Sequence, residues 1–117
     1  VLNWGAVFLW VRVRIWAGLK MELVMKFEWD EVKAASNLKK HGVDFEEAKT
    51  VFNDELANIF NDEWNSVGEQ RELIIGTSNA RRLLVISFTE RADAIRIISA
   101  RPATTTEVKN YERDYRN

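Results

Sequence analysis

From Lys26 onward the apolar and polar positions follow a regular plan. Lys26 to Trp29 alternates as a short strand, and Asp30 then stands where a helix N-cap belongs, ahead of a helical pattern running to about His41. Glu31 in the first turn and Lys39, Lys40 and His41 in the last suit the helix dipole, and Gly42 is free to adopt the left-handed conformation that ends a helix. At 100° per residue, Ala34, Ala35 and Leu38 fall on one face, expected to pack, while Asp30, Lys33, Asn37 and Lys40 form a polar stripe with His41 at its boundary.

Asp44 and Glu47 take N-cap and N3 positions for a second helix, in which Phe45, Ala48, Val51 and Phe52 recur at core spacing until Asn53-Asp54 stops it. These two helices should form a hairpin. Four strands are predicted next, over Leu56–Phe60, Arg71–Gly76, Leu83–Thr89 and Ala94–Ala100, separated by the turn-forming NDEWNSVG, TSNAR and ERAD segments. Connections this short allow antiparallel hairpins and exclude parallel crossovers. A last helix begins near Thr104, with Glu107 completing a capping box and Val108, Tyr111 and Tyr115 as its buried seam. The expected fold is α+β, in the order β-α-α-β-β-β-β-α: a small antiparallel sheet with helices packed on one face.

The first twenty residues, VLNWGAVFLWVRVRIWAGLK, interrupt this plan, for they hold three of the five tryptophans and no acid. The apolar run Gly5–Val11 is too short to span a bilayer, and Arg12 and Arg14 follow it, whereas a secretory signal carries its charge first. Val11–Ile15 alternates like an added edge strand. The composition break at Met21–Met25 suggests translation starting at one of those methionines, with residues 1–24 an extension and residues 25–117 the single domain.

A chain of 117 residues with 46% hydrophobic composition closes one modest core. The absence of cysteine excludes disulfides and thiolate metal sites, and a lone histidine excludes a histidine-rich zinc centre within one chain, so a cytoplasmic setting and no metal or other cofactor are expected. The net charge of −1 conceals net values of +3 for residues 1–41, −7 for 42–76 and +3 for 77–117. A general nucleic-acid binder is basic throughout; this chain fits a local cationic site instead.

His41 is the one side chain whose ordinary titration lies near neutrality. In AIRIISAR, Ile95, Ile97 and Ser99 fall on one side of a strand and Arg96 and Ile98 on the other, with Arg101 at its end. Arg71, Arg91 and Lys40 enlarge the cationic set to a size that suits a phosphodiester. Each residue also has a structural explanation. Lys39, Lys40 and His41 complement a helix C-terminus, Arg71 and Arg96 can pair with Glu72 or Glu90 across the sheet, and Trp29 can staple a helix start.

FEWD, the K-x-x-x-N-x-x-KHGV-x-F-x-EA continuation from Lys33 to Ala48, Glu69, Arg71 and the Ile75-Gly76 pair, and TER-x-x-x-IRIISAR from Thr89 to Arg101 together resemble the BrnT toxin family over about Met25 to Tyr111. Pro102 stands where that family commonly has a basic residue. The resemblance implies a RelE-like fold and a metal-independent endoribonuclease that cuts RNA, inhibits translation and needs no cofactor. Its partner would be a BrnA-like ribbon-helix-helix antitoxin, two of each chain forming a heterotetramer that meets operator DNA through the antitoxin. His41 would carry a proton beside Lys40, and Arg71, Arg96 and Arg101 would clamp the phosphate. Glu69 would orient an arginine or act as base, Trp29 and Phe27 would stack a base, and Lys33 and Arg91 would extend the RNA-binding surface. Two alternatives stand beside this: a catalytically silent module that only binds the antitoxin, and a phosphate-recognising RNA-binding domain.

Overall fold

The chain is seen in a computed structural model that describes residues 26–116. The added strand expected over Val11–Ile15 and the extension over residues 1–24 lie outside the described residues. The elements are β1 (Lys26–Glu28), α1 (Glu31–His41), α2 (Phe45–Thr50) with a 3-10 turn at Val51–Asn53, β2 (Asn58–Asn61), a second 3-10 turn at Glu63–Asn65, β3 (Glu72–Thr77), β4 (Leu83–Arg91), β5 (Ala94–Pro102) and α3 (Thr105–Arg116). The fold is α+β, in the order that the sequence pattern predicts.

The caps form as their residue types dictate. The Asp30 carboxylate accepts hydrogen bonds from the N–H groups of Val32 and Lys33, and Gly42, at φ 70°, donates its own N–H to the Leu38 carbonyl. Asp44 Oδ1 accepts from the Glu47 N–H at 2.6 Å. Thr104 and Glu107 make a reciprocal box: the Thr104 N–H donates to Glu107 Oε1 at 2.8 Å, and the Glu107 N–H donates to Thr104 Oγ1 at 3.2 Å.

The strands lie in the order β1-β5-β4-β3-β2. Hairpins join β2 through β5 antiparallel, as short connections require, but β1 lies parallel to β5, so the sheet is mixed rather than wholly antiparallel. Sixty-odd residues separate these two strands, and the long path frees β1 from the hairpin rule.

On one face, Ile59, Ile74, Leu84, Ile86, Phe88, Ile95, Ile97 and Ala100 pack against Val43, Phe45, Ala48, Val51 and Phe52 of the helical hairpin. Burying each large apolar side chain contributes about 1.5 to 3 kcal/mol. Phe52 bridges the edge-to-face pairs Phe27–Phe52, at 5.2 Å between ring centroids, and Phe52–Phe88, at 5.0 Å.

Three details differ from the sequence expectation. The buried member of α1 is Asn37, 6% exposed, whereas Leu38 is 49% exposed and Val32 80%. The helix is turned so that Ala34 and Asn37 face β5, because Asn37 finds backbone partners there that no apolar side chain would satisfy.

Second, a bulge interrupts the β4–β5 register: Phe88 pairs with Ile97 but Ser87 with Ser99, leaving Ile98 as the extra residue. Ala100 is thereby turned into the core and Ser99 onto the side of Arg96, opposite to strict alternation from Ile97.

Third, α3 lies on the other face of the sheet from α1 and α2, so the helices do not share one face. Phe60, Leu73, Ile75 and Val85, which alternate with the core residues, line a cleft of about 150 Å³ with Asn110 and Tyr111 of α3. The Tyr111 hydroxyl donates to the Leu56 carbonyl at 3.3 Å. These outward apolar side chains need cover, and Tyr111 provides part of it, with Glu107, Asn110 and Asp114 of the same helix along the cleft; the side chain of Tyr115 lies outside those described.

Candidate functional site

The sheet face opposite the helical hairpin carries two cationic stations along β5. The first is a row across three strands. Glu28 of β1 faces Arg96 of β5, and Arg96 faces Thr89 of β4. Arg71 precedes Glu72, the register partner of Phe88, and so continues the row beside Thr89. Arg96 Nη1 donates to Glu28 Oε2 at 3.0 Å, and neither Glu72 nor Glu90 is its partner. The buried Thr89 donates its hydroxyl to the Gln70 carbonyl at 2.8 Å. Arg71 is half-buried, with an Nε that has no hydrogen-bond partner among the described residues. Arg91 and Glu69 flank the row as an ion pair at 3.0 Å.

Asp30 connects this station to α1. Its carboxyl sits below the usual aspartate range, chiefly because the N–H groups of Lys33 and Val32 donate to it, with the charges of Lys33 and Arg96 adding to the effect. Lys33 therefore stands at the Arg96 end of β5, exposed.

The second station is at the far end of the strand. Arg101 grips Glu107 through two parallel hydrogen bonds, Nη1 to Oε1 at 2.7 Å and Nη2 to Oε2 at 3.0 Å. This bond, with the Thr104 cap behind it, holds the Glu107 carboxyl down at about 2, and the same bond raises Arg101. From Arg96 to Arg101 the strand advances roughly 15 Å at about 3.3 Å per residue. The three arginines expected to clamp one phosphate therefore do not converge: Arg71 and Arg96 stand together, and Arg101 stands apart.

Helix α1 runs beside β5 from one station to the other. Its start, at Asp30, is near Arg96, and its end is fixed at the Arg101 end by two contacts. Asn37 bonds the backbone of Ala100, and the Gly42 carbonyl accepts from Arg82 Nη2 at 3.0 Å, where Arg82 leads into β4 close to the Leu84–Pro102 pairing. Arg82 is held in turn by Glu47, whose carboxylate also accepts from Ser78 Oγ at 2.6 Å. That pairing lowers Glu47 and raises Arg82. The helix end thus lies beside the Arg101 end of β5, and there Lys39 and Lys40 are exposed and His41 is half-buried. Among the described residues, Lys33, Lys39 and Lys40 make no ion pair.

Trp29 is committed elsewhere. It packs against the core with its ring edge-to-face on Phe45 at 5.8 Å, and its Nε1 donates to Glu31. As the residue before the N-cap, with Ala34 packed against the same core, it is the helix staple. Phe27 likewise joins the core through Phe52.

Four residues that shape the site are not evident in the sequence as site residues. Glu28 acquires its role only through pairing with a strand 68 positions away. Thr89 and Glu107 gain theirs from register and from the path of α3. Asn37 alone left a signal, since asparagine is a poor helix-interior residue and commonly marks a side chain bonded to backbone. No three His, Cys, Asp or Glu side chains gather as a metal-binding group among the described residues, and no described helix is long and apolar enough to cross a membrane.

Residues 29–107 match the family described as "Ribonuclease toxin, BrnT, of type II toxin-antitoxin system". The fold is similar to the 1.1 Å crystal structure of the Brucella abortus ribonuclease toxin BrnT, with a TM-score of 0.56 and 28% sequence identity over 69% of this chain and 99% of that one. No curated protein matches.

Proposed function

Because the chain belongs to the BrnT family of ribonuclease toxins of type II toxin-antitoxin systems, we propose that it is a metal-independent endoribonuclease that inhibits translation in the cytoplasm by cutting RNA. What supports this reading is the pair of cationic stations on one strand, with the C-terminal end of α1, the segment that carries Lys40 and His41, held beside the second.

RNA supplies its own nucleophile, the 2′-hydroxyl. Cleavage then needs a proton acceptor, positive charge near the phosphate oxygens and a proton donor for the departing 5′-oxygen. A positioned acid–base side chain typically contributes about 10²- to 10⁴-fold, and preorganised charge is often the larger contribution. In this reading the scissile phosphate sits at the Arg101 station, where the guanidinium leaves Glu107 to grip two phosphate oxygens. His41 moves the proton and Lys40 supplies further charge. An RNA strand laid along β5 meets Arg96, Arg71 and Arg91 at its flanking backbone, with Lys33 beside them, while Glu69 keeps Arg91 in place. Trp29 and Phe27 stack no base, since both rings are held against the core.

A type II system includes an antitoxin. In this reading it is a BrnA-like ribbon-helix-helix protein, and one antitoxin dimer holds two toxin chains and binds operator DNA as a heterotetramer, covering Arg96, Arg101 or Lys40.

The test is purified protein with end-labelled RNA, with and without EDTA. Cleavage that persists in EDTA and leaves a 2′,3′-cyclic phosphate is the expected result; cleavage that stops on chelation and returns with magnesium overturns metal independence. One observation favours a second reading, the silent antitoxin-binding module: Arg91, Arg96 and Arg101 are each already occupied by a carboxylate. Absence of cleavage by free toxin that still binds its antitoxin would select that reading.

A further inference from the structure

β1 pairs with β5 only as far as Arg96, so beyond that point the outer backbone edge of β5 has no strand beside it among the described residues. Buried backbone donors and acceptors without partners are costly, and at Ala100 the edge is buried. The carboxamide of Asn37 satisfies them there. Its Oδ1 accepts from the Ala100 N–H at 3.1 Å and its Nδ2 donates to the Ala100 carbonyl at 2.8 Å, the donor and acceptor pattern of a strand neighbour. The second hydrogen of Nδ2 goes to the Val43 carbonyl at 2.9 Å.

One buried side chain therefore joins α1, the turn that follows it and β5. Lys40, His41 and Gly42 lie between its two points of attachment, Asn37 and Val43, and Arg101 follows its third, Ala100. We infer that Asn37 is a positioning residue that sets the end of α1, with Lys40 and His41, against Arg101. The inference rests on the reading that RNA is cut at this station. An apolar residue of similar size would fill the space but leave the Ala100 N–H and the Ala100 and Val43 carbonyls without this partner. A displacement of about 1 Å between acting groups can cost about 100-fold in rate, so the effect should appear in turnover and not in RNA binding, which the whole strand shares.

The test compares wild type with Asn37→Ser and Asn37→Asp, and with Ser36→Ala on the exposed side of the same turn as control. Asn37→Ser and Asn37→Asp should lower kcat by about 30-fold or more while KM stays within about threefold, at a temperature where circular dichroism shows them folded. Ser36→Ala should do neither. In amide hydrogen exchange, Ala100 should lose protection in the Asn37 variants, and Lys40 and His41 should lose it in parallel. If Asn37→Ser does not fold, Asn37→Gln, which keeps the carboxamide one methylene further out, takes its place. Unchanged kcat with Ala100 deprotected overturns the inference, as does a fall in kcat matched by Ser36→Ala. If wild type cuts no RNA, the ribonuclease reading fails and the positioning role is judged by exchange and by the signal of the chain's only imidazole. Loss of protection at Lys40 and His41, with a broadened or split His41 signal, supports it; deprotection confined to Ala100 with a sharp, unmoved His41 signal overturns it.

Discussion

Glu107 both caps α3 and holds Arg101 through two hydrogen bonds, so one carboxylate ties the last helix to the end of β5. Its pKa of about 2 lies below the ordinary 4.5, so its stabilisation is complete above about pH 4.5 and is lost as pH falls towards 2. Both side chains are about one-third exposed, and solvent screening limits the pair to about 1 kcal/mol. Glu107→Gln should lose about that much at pH 7 and show a flatter decline in acid. Urea unfolding across pH 2 to 7 measures both.

Releasing Arg101 from Glu107 has a second consequence in the proposed reaction. Arg101→Ala should lower kcat for RNA cleavage by about 100-fold or more, as expected for removal of preorganised positive charge, whereas Arg96→Ala, on the flanking backbone, should weaken cleavage mainly through KM, each with at most about 1 kcal/mol lost in stability. His41→Ala should stay folded and lose activity comparably, because dipole complementation at a helix end is worth only about 0.3 to 1 kcal/mol. Cleavage assays paired with thermal melts decide this; full activity in all three variants would move the site elsewhere.

Glu72 is buried at the core end of β3, with Oε2 unpartnered, and burial pushes its carboxyl above the ordinary range, with the charge of Glu90 adding to the shift. A raised folded value means that relative stability is complete below the unfolded value of about 4.5 and falls as pH rises through the folded one. Glu72→Gln should therefore match wild type near pH 4 and exceed it at pH 7, by about 1 kcal/mol. Equal melting temperatures at pH 7 would show that Glu72 is solvated.

Gly76, in the Ile75-Gly76 pair of the motif, is closed in by its neighbours. A Cβ there would stand 2.8 Å from the Ala57 Cβ and 3.0 Å from both Asp54 Oδ2 and Val51 Cγ1. Asp54 is fixed by the N–H groups of Leu56 and Thr77, so it cannot yield cheaply. Gly76→Ala should cost about 1 to 3 kcal/mol by overpacking, measured as a lower urea midpoint with an unchanged slope.

Co-expressed toxin and antitoxin should give a light-scattering mass near two of each chain, and the complex should neither cut RNA nor leave the Arg101 station open to it. A one-to-one complex that leaves this face exposed would refute both stoichiometry and mode of inhibition.

By itself the sequence determined whatever depends on local spacing. Asp30 and Gly42 bound α1, Thr104 and Glu107 start α3, and the short NDEWNSVG, TSNAR and ERAD links force the antiparallel order of β2 to β5. The blocks around Lys33–Ala48 and Thr89–Arg101 also carried the family. Only the tertiary structure decided what depends on register and on which backbone groups lack partners. The extra residue at Ile98 turns Ser99 outward and Ala100 inward, a change that alternation along one strand cannot reveal. The parallel docking of β1 gives Arg96 its partner Glu28 and stops short of Ala100. At Ala100 the edge of β5 buries Asn37 in place of the more hydrophobic Leu38, because satisfying two backbone groups of a buried strand outweighs covering one leucine.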